Sequence, residues 1–292
     1  MRDFEYLAPT TLEEAIRLMN GDGLRTKALA GGTDVLVQLR GRRFEIDRLV
    51  DVKKVPELNE LTCSESDGLT VGAAVPCCSV YEDAEIQRLY PGMVDAASLI
   101  GGIQIQSRAT IGGNLCNSAP SGDTIPAMMV HETTCDIAGP NGRRTVLVAD
   151  FCTGPGQSVL GHGEILVALR VPPPTANFGA HFIRFIPRNE MDIAIANAGA
   201  SVRLDGDGQR IQSAIIALGS VAPTPVMARE AMDFLVGKEA SEVVIQEAGE
   251  VAKSAARPID DMRGTTKQRI HLVSVLTKRA LQGAISRARG EQ

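Results

Sequence analysis

Ala30-Gly31-Gly32-Thr33-Asp34 and Thr110-Ile111-Gly112-Gly113-Asn114 are the two stretches from which the organisation of the chain is best worked out. Each holds adjacent glycines beside a threonine. Two successive glycines let the backbone take positive φ and let a ligand approach without meeting a Cβ. Consecutive N–H groups can then converge on an anion, and Thr33 and Thr110 add hydroxyl donors. A pyrophosphate needs several donors at once, which two loops from distant parts of a chain can supply together. Neither stretch fits G-x-G-x-x-G or G-x-x-x-x-G-K-[ST], so the Rossmann and P-loop readings fail. Taken singly, each glycine pair also reads as an ordinary tight turn.

Outward from the first loop, Lys27 to Ala30 reads as a short strand entering it, Val35-Leu36-Val37 as the start of a helix, and Leu49 to Val52 as the next strand. That strand–loop–helix–strand order predicts parallel pairing. Upstream, Thr10 and Thr11 each precede a glutamate by three residues, the capping-box spacing, and Leu12, Ala15, Ile16 and Leu18 give a helical stripe. Toward the second loop, Leu69 to Ala74 predicts a strand, and Ser79 to Leu89 and Met93 to Ile100 predict helices. Thr145 to Val148 and Ile165 to Val171 predict further strands. Pro172-Pro173-Pro174 continues neither a helix nor a central strand, which sets a domain boundary there. Beyond it, Ala180 to Phe185, Ile193 to Leu204 and Ile211 to Leu218 read as strands, the last two joined by the turn Asp205-Gly206-Asp207-Gly208. Helices are predicted over Pro225 to Val236, Ser241 to Ala256 and Lys267 to Ala288. The fold class is α+β. Residues 1–174 form a two-loop domain, with a small parallel part over 1–55 and a mixed or antiparallel part over 56–174. Residues 175–292 form an antiparallel sheet covered by helices.

At 292 residues and 44% apolar content the chain can bury a real core, and with no Trp that core is mostly aliphatic. The net charge of −5, without a basic run, argues against nucleic acid. No stretch approaches 18 apolar residues, so no membrane span is expected. The first residues hold no apolar signal segment, so a cytoplasmic location is expected. Six cysteines (63, 77, 78, 116, 135, 152) form no C-x-x-C pair, and an iron–sulfur cluster needs four thiolates at tight spacing. His131, His162, His181 and His271 are scattered, so no metal site is expected.

Gln104 to Leu115, together with Ala30 to Asp34, resembles the two signature segments of the FAD-binding subunits of the xanthine dehydrogenase and carbon monoxide dehydrogenase family. Ala119 to Ala127, Thr153 to Gly156, Gly163 to Leu166 and Arg188 with Met191-Asp192-Ile193-Ala194 extend the resemblance over nearly the whole chain. It implies a non-covalent FAD whose pyrophosphate and ribityl chain lie between the loops. Lys27, Ala28, Leu29, Ala30, Gly31, Gly32, Thr33, Asp34 and Val35 would form the first wall. Thr110, Ile111, Gly112, Gly113 and Asn114 would form the second. Asp123 would accept from ribityl or ribose hydroxyls, or else serve as a turn residue before Pro126. Ile100 and Leu166 would flank the isoalloxazine ring, or else be plain core. Arg184 falls where relatives often carry Lys near the flavin, and the two cations are not interchangeable. Cys116, just behind the second loop, is the one thiol placed for covalent attachment.

The resemblance further implies an oxidoreductase subunit that passes electrons, with no catalytic acid or base of its own. Molybdenum cofactor would sit in a large partner subunit and two [2Fe–2S] clusters in a small one, assembled as a dimer of heterotrimers. Electrons would reach FAD and leave to NAD, a quinone or oxygen. Two departures from the family pattern stand out. Lys267 follows Arg263-Gly264-Thr265-Thr266 where relatives carry an aromatic, and no four-cysteine insert is present. Two other readings remain open at this stage. One is a self-contained flavoprotein oxidase or reductase, which substrate turnover by the chain alone would reveal. The other is a non-redox scaffold, which would stay colourless with added FAD.

Overall fold

The computed structural model describes residues 2–21, 23–188 and 191–291. The first unit is a three-stranded parallel sheet. Its elements are β1 (Glu5–Leu7), α1 (Leu12–Asn20), β2 (Thr26–Leu29), α2 (Val35–Arg40) and β3 (Arg48–Asp51), with β3 central between β1 and β2. The expected parallel pairing of β2 and β3 is present. The three-residue β1 was not foreseen, being too short to show a period. Thr11 caps α1 by accepting from the Glu14 N–H at 3.2 Å, and Glu14 Oε2 accepts from the Thr10 N–H at 3.3 Å.

The second unit carries β4 (Leu61–Ser64), β5 (Gly68–Gly72), α3 (Cys77–Glu82), α4 (Ala84–Leu89), α5 (Pro91–Ala97), α6 (Ile103–Gln106), α7 (Ile111–Asn117) and α8 (Thr124–Val130). It continues through β6 (Thr134–Gly139), β7 (Gly142–Leu147), the small pair β8 (Cys152–Gly154) and β9 (Gln157–Ser158), and β10 (Ile165–Val171). Strands β4-β5-β10-β6-β7 make one antiparallel sheet. The apolar strand β10 lies at its centre with six of its seven residues buried. The single helix expected over Ser79 to Leu89 is broken. Asp83 leaves the helical conformation and its carboxylate accepts from the N–H groups of Glu85 and Ile86, both at 2.9 Å, which starts a new helix. Leu12, Val50 and Val52 of the first unit pack on Leu58, Ala138, Ile165 and Val167 of the second, so one apolar layer joins the two.

The third unit is an antiparallel sheet β11 (Phe178–Phe185), β12 (Ala196–Leu204), β13 (Ile211–Gly219) and β14 (Val226–Met227), covered by α9 (Arg229–Leu235), α10 (Glu242–Ala252) and α11 (Thr266–Ala288). The hairpin turn at 205–208 joins β12 to β13 as expected. Strand β12 begins at Ala196 and not at Ile193, and α9 begins only after the short β14. Asp95 on α5 binds Arg287 on α11 through two contacts of 2.6 and 2.9 Å, tying the third unit to the second. Among the described residues no helix is long and apolar enough to cross a membrane.

Candidate functional site

A cleft of about 550 Å³ opens where the first two units meet, within the size range of ligand sites. Its walls include Lys27, Ala28, Ala30, Gly31, Gly32, Thr33, Asp34 and Val35 from the first loop, and Thr110, Gly112, Gly113 and Asn114 from the second. Ile100 and Leu166 line it as well. Two residues expected among the walls point elsewhere: Leu29 packs with Leu39, Ile46 and Leu49, and Ile111 is fully buried in the central core. The fold thus brings together loops eighty residues apart in sequence.

The first loop leaves its donors free. The N–H groups of Gly31, Gly32, Thr33, Asp34 and Val35 donate to no protein acceptor among the described residues. Gly32 takes φ +77°, the left-handed region that favours glycine. Beneath the loop, the Lys53 ammonium donates to the Ala30 carbonyl at 3.3 Å and to Asp51 at 2.8 Å, and Tyr6 donates to Asp51 at 2.5 Å. Burial pulls the Asp51 carboxyl upward, but the bonds from Lys53 and Tyr6 outweigh it and hold the group below its ordinary value. Asp34 is exposed to the cleft, yet protein crowds it enough for desolvation to raise its carboxyl, with Arg43 opposing.

The second loop is braced from within. Thr110 Oγ1 accepts from the Gly113 N–H at 2.8 Å and caps α7. A Cβ on Gly112 would stand 2.6 Å from the Ala73 Cα, so the loop lies directly on the chain leaving β5. The Cys77 N–H donates to the Ala109 carbonyl at 2.8 Å, fixing the loop to α3. Thr124 donates to the Asn114 side chain at 2.8 Å. Next to it in sequence, Asp123 accepts from Arg184 at 2.5 Å and from Asn197 at 3.0 Å. Asp123 and Arg184 are thus not among the cleft's lining residues; they form a buried ion pair that joins the segment behind the second loop to β11 and β12. Burial pushes the Asp123 carboxyl up, with Arg184 and Asn197 countering.

A third wall escaped the sequence reading. Gly156, Ser158 and the run Leu160 to Ile165 line the cleft as well. Glu164 is gripped by Arg144 through contacts of 2.7 and 2.6 Å, which lowers its carboxyl, and His162 Nε2 reaches the Asn20 carbonyl at 3.2 Å. Gly163 takes φ +75° and faces Asn20. The glycines at 161 and 163 were the available signal. Cys116 is exposed to the cleft yet ringed by protein, and desolvation pushes its thiol up to about 12. Lys27 adds positive charge along the wall, with its ammonium 5.6 Å from the Phe44 ring centre, whereas Arg25 is held by Glu45 and Asp47. Among the described residues no group of three His, Cys, Asp or Glu side chains is placed to hold a metal ion.

Residues 2–174 match the family model of the FAD binding domain in molybdopterin dehydrogenase, and residues 181–284 that of the CO dehydrogenase flavoprotein C-terminal domain. The xanthine dehydrogenase FAD-binding subunit of Escherichia coli O157:H7 is 34% identical over 294 residues, covering 100% of this chain and 99% of that protein. The carbon monoxide dehydrogenase medium chain of Hydrogenophaga pseudoflava is 30% identical, covering 97% and 98%. Among solved structures, a carbon monoxide dehydrogenase of Hydrogenophaga pseudoflava lacking the Mo-pyranopterin moiety superposes with TM-score 0.92 at 30% identity, covering 98% of each chain. Quinoline 2-oxidoreductase of Pseudomonas putida 86 gives 0.90 at 30% identity, covering 99% and 98%.

Proposed function

We propose, for a chain that belongs to the FAD-binding medium subunits of the xanthine and carbon monoxide dehydrogenase family of molybdenum hydroxylases, that its cleft clasps one FAD non-covalently. Through that FAD, electrons pass from [2Fe–2S] clusters of a small partner subunit to an external acceptor. The observation that carries this reading is the run of five unpartnered N–H groups from Gly31 to Val35 in one wall of the cleft. A diphosphate supplies the oxygens such a run lacks. The glycines allow the loops their close approach: a Cβ on Gly31 would stand 2.0 Å from the Arg108 carbonyl oxygen, and one on Gly113 2.8 Å from the Thr110 hydroxyl.

When bound, FAD supplies the chemistry, accepting electrons singly and releasing them in pairs. The chain's own residues bind and orient it. The first loop donates main-chain N–H groups, Thr110 holds the second loop in shape, and Lys27 offsets phosphate charge. Ile100 and Leu166 bound the ring, and the Asp123–Arg184 pair holds the segment behind Asn114. The complex includes a large molybdenum-cofactor subunit and the small iron–sulfur subunit, arranged as a dimer of heterotrimers. Six free thiols suit a reducing compartment such as the cytoplasm. We set the domain boundary at Pro172–Pro174, supported by a core cluster from Ile195 to Ala288 that draws only on residues beyond it.

The test is an absorbance spectrum of the purified chain before and after adding FAD, followed by acid precipitation. Flavin bands with FAD released to the supernatant support the reading. Colour held in the pellet points to covalent attachment at Cys116. No flavin under any condition sinks it, and turnover of a reducing substrate by the isolated chain overturns the relay role.

A further inference from the structure

We propose that Gln106 is a positioning residue for the flavin-ring end of the cleft, its buried amide fixing the turn from Ser98 to Gly101 and, through it, the Ile100 wall. The inference rests on the FAD reading above. Gln106 ends α6 and is only 6% exposed. Its Nε2 donates to the Ser98 carbonyl at 2.7 Å and to the Ile100 carbonyl at 3.3 Å, and its Oε1 accepts from the Tyr81 hydroxyl at 2.9 Å. Both amide protons and one oxygen lone pair are therefore used.

A buried amide with unmet protons is costly, so this side chain favours the one turn conformation that aims both carbonyls at it. Gly101 makes that turn possible by taking φ +57°. A Cβ there would also lie 2.3 Å from Ile105 Cδ1. Ile100, which carries one of the two bonded carbonyls, lines the cleft.

The same amide links the ring end to the phosphate end. Tyr81 sits on α3, and the first residue of α3, Cys77, donates to the Ala109 carbonyl just before the second glycine loop. One short helix thus registers both the loop, at Cys77, and the Ile100 wall, through Tyr81 and Gln106. Losing the amide frees the Ser98 and Ile100 carbonyls. A carbonyl oxygen turned toward the ring would disfavour the electron-rich reduced flavin, since charge near the ring tunes its potential.

The experiment compares wild type, Gln106→Met, Tyr81→Phe and Leu235→Ala, each loaded with FAD as the full chain. Gln106→Met keeps the volume and removes both donors. It is expected to lower the flavin midpoint potential, alter the visible flavin bands, and weaken FAD binding roughly threefold to tenfold. Tyr81→Phe loosens only the oxygen side and should shift the potential the same way by less. Leu235→Ala lowers stability from the core of the third unit and should leave the potential unchanged. A flavin-loaded Gln106→Met with wild-type potential and bands overturns the inference. Should that variant fail to fold, an unshifted Tyr81→Phe overturns it. Failure of wild type to take up FAD sinks the FAD reading itself, and this inference with it.

Discussion

Gly31 and Arg108 meet where the two glycine loops touch: a Cβ built on Gly31 would stand 2.0 Å from the Arg108 carbonyl oxygen. The obstacle is backbone, so no side-chain rotation relieves it. Gly31→Ala must push the loops apart. Overpacking of this kind costs about 1–3 kcal/mol, so FAD affinity should fall roughly tenfold to a hundredfold. Gly113→Ala provides the contrast, because its Cβ would meet only the Thr110 hydroxyl, at 2.8 Å, and that side chain can swing aside with no backbone shift, at the cost of the α7 cap alone. Flavin fluorescence titration of both variants checks the ordering. Equal affinity for Gly31→Ala and wild type would rule out a clasp made by both loops.

Lys27 makes a separate and weaker contribution. It lines the cleft but is itself exposed, and exposed charges act through solvent and salt. Lys27→Gln should weaken FAD binding by about threefold to tenfold at low ionic strength, in line with an exposed charge pair worth about 1 kcal/mol. The deficit should shrink as salt is raised. A deficit independent of salt would mean that Lys27 acts through packing on Phe44 and not through charge.

How much of this was legible in the sequence depends on the range of the cause. The glycine loops, the apolar strand Ile165–Val171 and the turn at Asp205–Gly208 follow from local backbone chemistry, and the structure has them in place. The break at Asp83 lay in a stretch whose apolar spacing runs on unbroken, so periodicity hid a cap that the residue type alone could have suggested. Strands β4 and β6 are mixed in character and earn their place only by pairing with β5 and β10. The Asp123–Arg184 contact joins residues 61 apart. Each was assigned singly to the ligand by resemblance, and nothing local says that they satisfy each other. The third wall, Leu160 to Ile165, was quoted in part as a motif, yet its approach to Asn20 is purely tertiary.

His131 gives the fold a pH dependence. It is buried between Tyr90 and Phe178, with Nδ1 2.7 Å from the Ala127 carbonyl. A carbonyl can only accept, so Nδ1 carries the proton of the neutral ring. Burial lowers the pKa to about 4, the Ala127 bond countering only in part. The unfolded chain, with an ordinary His value of about 6.5, then binds more protons than the folded one between those values. Stability is therefore lost as pH falls from about 6.5 to about 4, by roughly 3 kcal/mol over the whole window. Urea unfolding across this range should show the loss, and His131→Phe should reduce it, leaving the part due to His181, which burial also lowers, while lowering stability at neutral pH. An equal acid loss in His131→Phe would assign the effect to another group.

The Asp123–Arg184 pair behaves in the opposite sense once broken. Both side chains are nearly inaccessible, at 10% and 6% exposure. Arg184→Leu leaves a buried carboxylate with only the Asn197 amide, a change that costs about 3–5 kcal/mol at neutral pH. Burial already raises the Asp123 carboxyl, and Arg184 is its main counterweight, so the variant's carboxyl rises further. A carboxyl raised in the fold binds more protons there than in the unfolded chain. Its penalty is therefore full above the folded pKa and relieved as pH falls through it. The stability gap between Arg184→Leu and wild type should narrow on acidification, and the His131 loss cancels because both proteins share it. Asp123→Asn combined with Arg184→Leu removes the stranded charge and should be more stable at neutral pH than Arg184→Leu alone. A gap that stays constant with pH, with no rescue by the double variant, would show that Arg184 supports the fold by packing and not by pairing with Asp123.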